Sequence, residues 1–340
     1  MINQINIKSP GLRHSDLKII SNKINIKKTQ FFYKNISRNN RLFRKEFETK
    51  RYSKFFHDKT LFKNLYSNFY KRRSEVLLSL ISKKFSRECK ILDFGCNRGE
   101  LLLNLKKHNF KNLYGYDINN YFRKSLLKNN IYFTNSLKNL KSLKFDLIIF
   151  SHSLQYVDDI FAIKRLIKKI TKKNAKIILV INDISKRPLS FSFSDQNYFF
   201  DKLMLKNLFL EIGSVKFLKS DYFFNDILAL IKIKKGNKVN KKLIKIKKDN
   251  IGIFKKKINK LKTINQNCNV YHYNFQSKIA KILLKDRFKS IVVKKKIKIK
   301  SKSIIEIKQH LNSKLPLIVF GKKENENLIL KLKNKKIIII

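Results

Sequence analysis

Ile91-Leu92-Asp93-Phe94-Gly95-Cys96-Asn97-Arg98-Gly99-Glu100-Leu101-Leu102 runs from an apolar strand through a glycine turn into the apolar stripe of a helix. Glycine at 95 lets a ligand approach the backbone where a Cβ would intrude. Gly99 opens the helix whose N-terminal amides face the same crevice. A second strand, Leu113-Tyr114-Gly115-Tyr116, ends in Asp117, 18 residues after Gly99. A carboxylate at that place is set to accept both hydroxyls of a ribose. The spacing is Asp-x-Gly-x-x-x-Gly rather than Gly-x-Gly-x-x-Gly, which turns the reading away from a dinucleotide. Strand, turn, helix and acidic strand end fall in the order a nucleotide-type ligand requires.

Outward from this stretch, residues 89–232 alternate short apolar runs with helical segments. That rhythm predicts a mostly parallel sheet with helices on both faces. Its last two runs, Val215–Ser220 and Asn225–Lys234, leave no room for a helix between them, so an antiparallel hairpin is expected at one sheet edge. Upstream, residues 1–50 form a polar, basic leader without sustained period, expected to be extended or partly disordered. Residues 51–88 turn helical, with Phe69, Val76, Leu77, Leu80 and Ile81 recurring at three- and four-residue steps. Downstream, residues 233–265 make a Lys-rich linker and a helix striped by Ile251, Phe254, Ile258 and Leu261. Residues 266–340 repeat the strand and helix alternation as a second, smaller α/β unit.

The chain of 340 residues is long enough for about two folding units. Lys+Arg 79 against Asp+Glu 23 gives a formal charge of +56, which raises nucleic acid or an anionic surface as partners. The charge concentrates outside the α/β core: residues 232–262 carry 14 Lys and one Asp, whereas residues 86–150 carry 12 basic and 5 acidic side chains. Only 13 of the basic residues are Arg, and the Lys sit among abundant Ile and Asn, the mix an AT-biased gene encodes. The charge is therefore read as a solvated surface, with nucleic acid not favoured as partner. Three cysteines, Cys89, Cys96 and Cys268, exclude a disulfide scaffold and a Cys₄ zinc site. No metal site is expected. The polar N-terminus and short apolar runs predict a cytoplasmic chain with no membrane span.

At this point the chain resembles the class I S-adenosylmethionine-dependent methyltransferases over about residues 88–232. Their first motif is similar to LDFGCNRGELL (92–102), their second to YGYDIN (114–119), and their fourth strand to FDLIIFSHSLQYVDD (145–159). The resemblance implies a Rossmann-like seven-stranded sheet and S-adenosyl-L-methionine as cofactor. Asp93, Gly95, Asn97 and Gly99 would line its methionine end, with Cys96 in the turn. Asp117 would hold the ribose, Ile118 would cover the adenine, and Asn135 and Ser136 would reach the adenine edge. Ser151 and His152 would border the methyl group. Asn97 stands where most of the superfamily has Gly, and Asn tolerates the left-handed backbone better than other residues with a Cβ.

Methyl transfer from a sulfonium needs alignment and, for a weak nucleophile, a base. The catalytic candidates are His152, Tyr156 and Asp195. Many relatives read H-x-L-E-H where this chain has His152-Ser153-Leu154-Gln155-Tyr156. In relatives resembling sugar C-methyltransferases a Glu-His pair falls where Asp195 and Gln196 stand, and a Gln cannot take up a proton. The wider order of the chain is similar to that group, which implies a small-molecule acceptor such as a nucleotide sugar or glycan precursor. The alternatives are an RNA-binding methyltransferase and a non-catalytic, methyltransferase-like binding protein. The acceptor, the atom methylated and the oligomeric state are left open by the sequence.

Overall fold

The computed structural model describes residues 3–12, 19–28, 32–34, 61–193, 196–223, 225–234, 249–271, 275–293, 304–306, 310, 313–320, 328–329, 332 and 336–339. The chain divides into two compact units. The first comprises Met1–Ile5, Asn25–Arg187 and Asp195–Lys248; the second comprises Asn6–Ile24, Pro188–Ser194 and Asp249–Ile340.

The leader contributes strands β1 (Asn3–Leu12), β2 (Ile19–Lys28) and β3 (Phe32–Lys34). The rest of residues 1–50 lies outside the described residues. β3 pairs antiparallel with β2, Lys34 opposite Ile26, and with β9 (Tyr198–Phe199), Phe32 opposite Phe199.

The first unit is built on a seven-stranded sheet. Its strands are β4 (Ile91–Phe94), β5 (Leu113–Tyr116), β6 (Tyr132–Thr134), β7 (Phe145–Ser151), β8 (Thr171–Asn182), β10 (Gly213–Leu218) and β11 (Asp226–Ile233). Their order across the sheet is β10-β11-β8-β7-β4-β5-β6. Pairing is parallel from β6 through β8. It is antiparallel at β11, which pairs with both β8 and β10 and forms the edge hairpin. Sequence order reverses beside β4, which lies between β5 and β7. The carboxyl ends of those strands therefore open a crevice at the switch point, where ligands of open α/β sheets bind.

Burial explains why these segments are strands. All four residues of β4 are buried, as a central parallel strand covered on both faces requires. The helices bury one stripe each. α1 (Leu61–Ser82) places Leu77 and Ile81 in a cluster with Leu101, Leu102 and Leu105 of α2 (Glu100–Lys107). At eight residues α2 is too short to stand alone in water; burying three leucines, at about 1.5–3 kcal/mol each, is what holds it. The side-chain amide of Asn104 on α2 also donates to Ser74 Oγ on α1 at 2.7 Å. α3 (Arg123–Lys128) follows β5. α4 (Ile160–Ile170) is capped by Asp159, whose carboxylate accepts from the Phe161 and Ala162 N–H groups. α5 (Lys202–Phe209) is capped by Asp201, which accepts from Met204 N–H.

The second unit carries α6 (Asn250–Thr263), with Ile251, Phe254, Ile258 and Leu261 all buried as their spacing predicts. It is followed by β12 (Cys268–Tyr271), α7 (Phe275–Leu284), β13 (Phe288–Val293), β14 (Ile304–Glu306), β15 (Leu317–Val319) and β16 (Ile337–Ile339). These strands form a sheet in the order β14-β13-β12-β15-β16, parallel throughout. The strand and helix alternation read from residues 266–340 is thus a second small parallel sheet. Its core gathers Tyr271, Val292, Leu317, Val319 and Leu332.

Candidate cofactor site and its neighbourhood

The turn after β4 is closed by hydrogen bonds to the neighbouring strand. The N–H groups of Gly95 and Cys96 both donate to the Tyr116 carbonyl, at 2.7 and 3.0 Å. Gly95 has φ +83° and Gly99 φ +76°, so both occupy the left-handed region that glycine enters without a Cβ penalty. Asn97 lies between them at φ 49°. A Cβ on Gly95 would overlap the Ser153 side chain, and one on Gly99 would overlap Leu126. These two glycines therefore serve dense packing as well as backbone freedom.

Asp117 ties the second strand to this turn. Its Oδ2 accepts from Asn97 N–H at 2.8 Å and its Oδ1 from Asn119 N–H at 2.9 Å. A carboxylate has about four lone-pair sites, so these two bonds fix its orientation and leave capacity for a pair of ribose hydroxyls. Burial raises the Asp117 carboxyl, and the Asn119 and Asn97 N–H groups pull it back down.

Asp93 is buried at 4% exposure, and its Oδ1 has no hydrogen-bond partner among the described residues. Burial pushes its carboxyl up to about 7; the Arg73 guanidinium opposes this, while Asp117 and Glu100 add to it. Ser151 Oγ is likewise buried without a partner among the described residues. Two orphaned polar atoms beside a glycine turn fit a ligand that brings a cationic, hydrogen-bonding group. The ammonium and sulfonium of S-adenosylmethionine suit that donor set, so the residues present fit the cofactor.

Ile118 follows Asp117 and is 39% exposed, an open apolar surface where the adenine cover is expected. Asn135 is exposed. Ser136 is half-buried, and its N–H donates to Thr134 Oγ1 at 3.1 Å. Cys96 is buried, and burial raises its thiol well above the ordinary range, with Asp117 and Asp93 adding to the effect. It is a packed turn residue, not an activated thiolate.

His152 sits at the end of β7 with φ 56°, and its N–H donates to the Val180 carbonyl at 2.9 Å. Its Nε2 lies 3.6 Å from Asp226 Oδ2, and Arg187 reaches Asp226 Oδ1 at 3.7 Å. Burial lowers the His152 imidazole; Asp226 counters this, and Arg73 and Arg187 reinforce it. Burial alone would raise Asp226, but His152, Arg187 and Arg73 together hold its carboxyl below the ordinary range.

Tyr156 is brought to the second candidate segment. Its hydroxyl accepts from Gln196 Nε2 at 3.2 Å, and its carbonyl accepts from Asn197 Nδ2 at 3.2 Å. Gln155 is buried, as is Leu154 before it. Asp195 lies outside the described residues. Four residues that sequence reasoning missed complete the neighbourhood: Arg73 on α1, Ser153, Arg187 and Asp226. Ser153 Oγ donates to the Phe94 carbonyl and so joins the end of β4 to the segment after β7. No local sequence signal marked Asp226 or Arg187, which are brought here by tertiary packing.

The strand order and the closed turn define a class I methyltransferase fold. Residues 66–212 match the family described as a methyltransferase domain. Among solved structures it is similar to magnesium protoporphyrin IX methyltransferase from Synechocystis PCC 6803 with bound S-adenosylhomocysteine. That likeness has 12% identity, covers 57% of this chain and 99% of that one, and has a TM-score of 0.44. A possible histamine N-methyltransferase from Thermotoga maritima is similar at 18% identity over 51% of this chain and 96% of that one, with a TM-score of 0.39. A methyltransferase from Archaeoglobus fulgidus is similar at 18% identity over 47% and 94%, with a TM-score of 0.37. No curated protein sequence matches the chain. Among the described residues no helix is long and apolar enough to cross a membrane, and no three His, Cys, Asp or Glu gather to hold a metal.

Proposed function

We propose that the first unit is an S-adenosylmethionine-dependent methyltransferase whose small-molecule acceptor reaches the cofactor past His152 and Tyr156. The observation that carries this is the Asp117 carboxylate bonded to Asn97 N–H, which locks the glycine turn against the ribose position. When bound, the cofactor supplies an electrophilic methyl on a sulfonium. Asp117 binds the ribose, Ile118 covers the adenine, and Asn135 and Ser136 flank its edge. Asp93, Gly95, Cys96, Asn97, Gly99 and Ser151 surround the methionine end. His152 and Tyr156 border the methyl group; Asp195 stands as a further candidate.

Titrating the purified protein with S-adenosylmethionine and S-adenosylhomocysteine by calorimetry tests this. One site per chain is expected, weakened at least ~10-fold in Asp117→Ala, which loses charge-assisted hydrogen bonds. No heat with either ligand would refute it. The finer reading, a nucleotide sugar or glycan precursor as acceptor, rests on the similarity in chain order to the sugar C-methyltransferases. Labelled methyl transfer to a panel of nucleotide sugars tests it, and no turnover across the panel would remove it. The buried Gln155 and the Gln196 amide bonded to Tyr156, where relatives carry Glu and His, favour a second reading in which the cofactor binds without turnover.

A further inference from the structure

We propose that Asp226 and Arg187 are positioning residues that hold His152 with Nε2 protonated and turned away from the cleft, leaving Nδ1 as the proton acceptor of the methyl transfer. This rests on the cofactor reading above. Three elements far apart in sequence meet here: the end of β7, the start of β11 and the segment after β8. The His152 side chain is 15% exposed, yet its Nε2 is enclosed without a hydrogen-bond partner among the described residues, and the carboxylate oxygen facing it is Asp226 Oδ2 at 3.6 Å, so the accessible part of the ring lies away from Asp226. Asp226 is 6% exposed, and a carboxylate enclosed to that degree persists only with paired charge. Arg187, 34% exposed, supplies part of that charge from the opposite side. The imidazole is further set by its backbone, since His152 holds a left-handed φ of 56° while its N–H is bonded to Val180. Strained or rare backbone at a strand end is a device that sites use to aim a side chain.

The charged groups facing the ring are Asp226 from β11, Arg187 from the segment after β8, and Arg73 from α1. Burial and the two guanidinium groups keep the imidazole neutral, as a base must be before the reaction. Asp226 raises its basicity and balances the imidazolium that forms. The step then closes. The lone pair of the acceptor's oxygen or nitrogen forms a bond to the methyl carbon, and the carbon–sulfur bond breaks with its pair on sulfur. The acceptor's proton passes to Nδ1. With Gln at 155 and 196, this imidazole takes the role that a Glu-His pair has in relatives.

The test reads the imidazole itself in the apo protein. The His152 signals are assigned among the six histidines by their loss in His152→Gln. Nitrogen-15 shifts at high pH should show the Nε2–H tautomer. The His152 midpoint should lie below its ordinary value, fall further in Asp226→Asn, and rise in Arg187→Gln, whose half-exposed site tolerates substitution. An Nδ1–H tautomer, or a midpoint unmoved by both variants, would overturn the proposal. If Asp226→Asn fails to fold, Arg187→Gln and the wild-type tautomer decide alone. Calorimetry with S-adenosylmethionine on the wild type separates the two levels: absent binding defeats the cofactor reading, whereas binding with an indifferent His152 defeats only the positioning pair.

Discussion

Gly95→Ala should damage the first unit through one side chain, Ser153, and the damage should be separable into two parts. The residue sits at φ +83°, where a residue with a Cβ loses about 1–2 kcal/mol. The new Cβ would also overlap Ser153 Cβ and lie 3.1 Å from its Oγ. Relieving that overlap moves Ser153 off the Phe94 carbonyl, and overpacking of this kind costs about 1–3 kcal/mol. Together the two effects come to about 3 kcal/mol, or a fall in melting temperature of about 6–12 °C for a unit of this size. Ser153→Gly removes the obstructing Cβ, so Gly95→Ala on that background should cost only the backbone part, about 1.5 kcal/mol. The double-mutant cycle should therefore give a coupling of about 1.5 kcal/mol, measured by thermal unfolding of all four proteins. Strict additivity would refute the claim that Gly95 is dictated by Ser153 as well as by its φ.

Two further predictions concern groups whose burial shifts their chemistry. Asp93, with its carboxyl raised to about 7 by burial, holds its proton better folded than unfolded. Its contribution to stability is full below about pH 4 and lost as pH rises through about 7, and Asp93→Asn should flatten that slope. Binding a cationic cofactor favours the carboxylate, so calorimetry near pH 7 in buffers of different ionisation enthalpy should show proton release that Asp93→Asn lacks. Equal release from both proteins would refute the placement of Asp93 at the methionine end. Cys96 is buried with its thiol raised well above the ordinary range, whereas Cys89 is half-buried. A thiol reagent at pH 8, followed by mass spectrometry, should label Cys89 first and Cys96 only on unfolding; comparable rates would contradict the packed turn.

What the sequence disclosed and what it hid divide along one physical line. Gly95, Asn97 and Gly99 were legible because their left-handed backbones demand particular residue types at particular places, whatever the rest of the chain does. The alternation along residues 89–232 was legible because periodicity is local, and it yields the parallel sheet and its antiparallel edge. The stripe of α6 was visible for the same reason, whereas the grouping of that helix with Pro188–Ser194 in the second unit depends on tertiary packing alone. Asp226 and Arg187 carried no local signature: an acidic residue at a strand start and an arginine after a strand are ordinary surface features. They acquire meaning only when β11 inserts antiparallel beside β8 with Asp226 opposite Asn182, bringing its carboxylate to the end of β7. The hairpin that looked like a device for finishing a sheet edge thereby delivers a carboxylate to the His152 imidazole. An insertion shifting that strand by one residue would turn Asp226 to the opposite face while leaving every glycine of the cofactor turn in place. On the proposed reading, cofactor binding and proton transfer would be held by separate parts of one sheet, the first by local turn chemistry and the second by strand register.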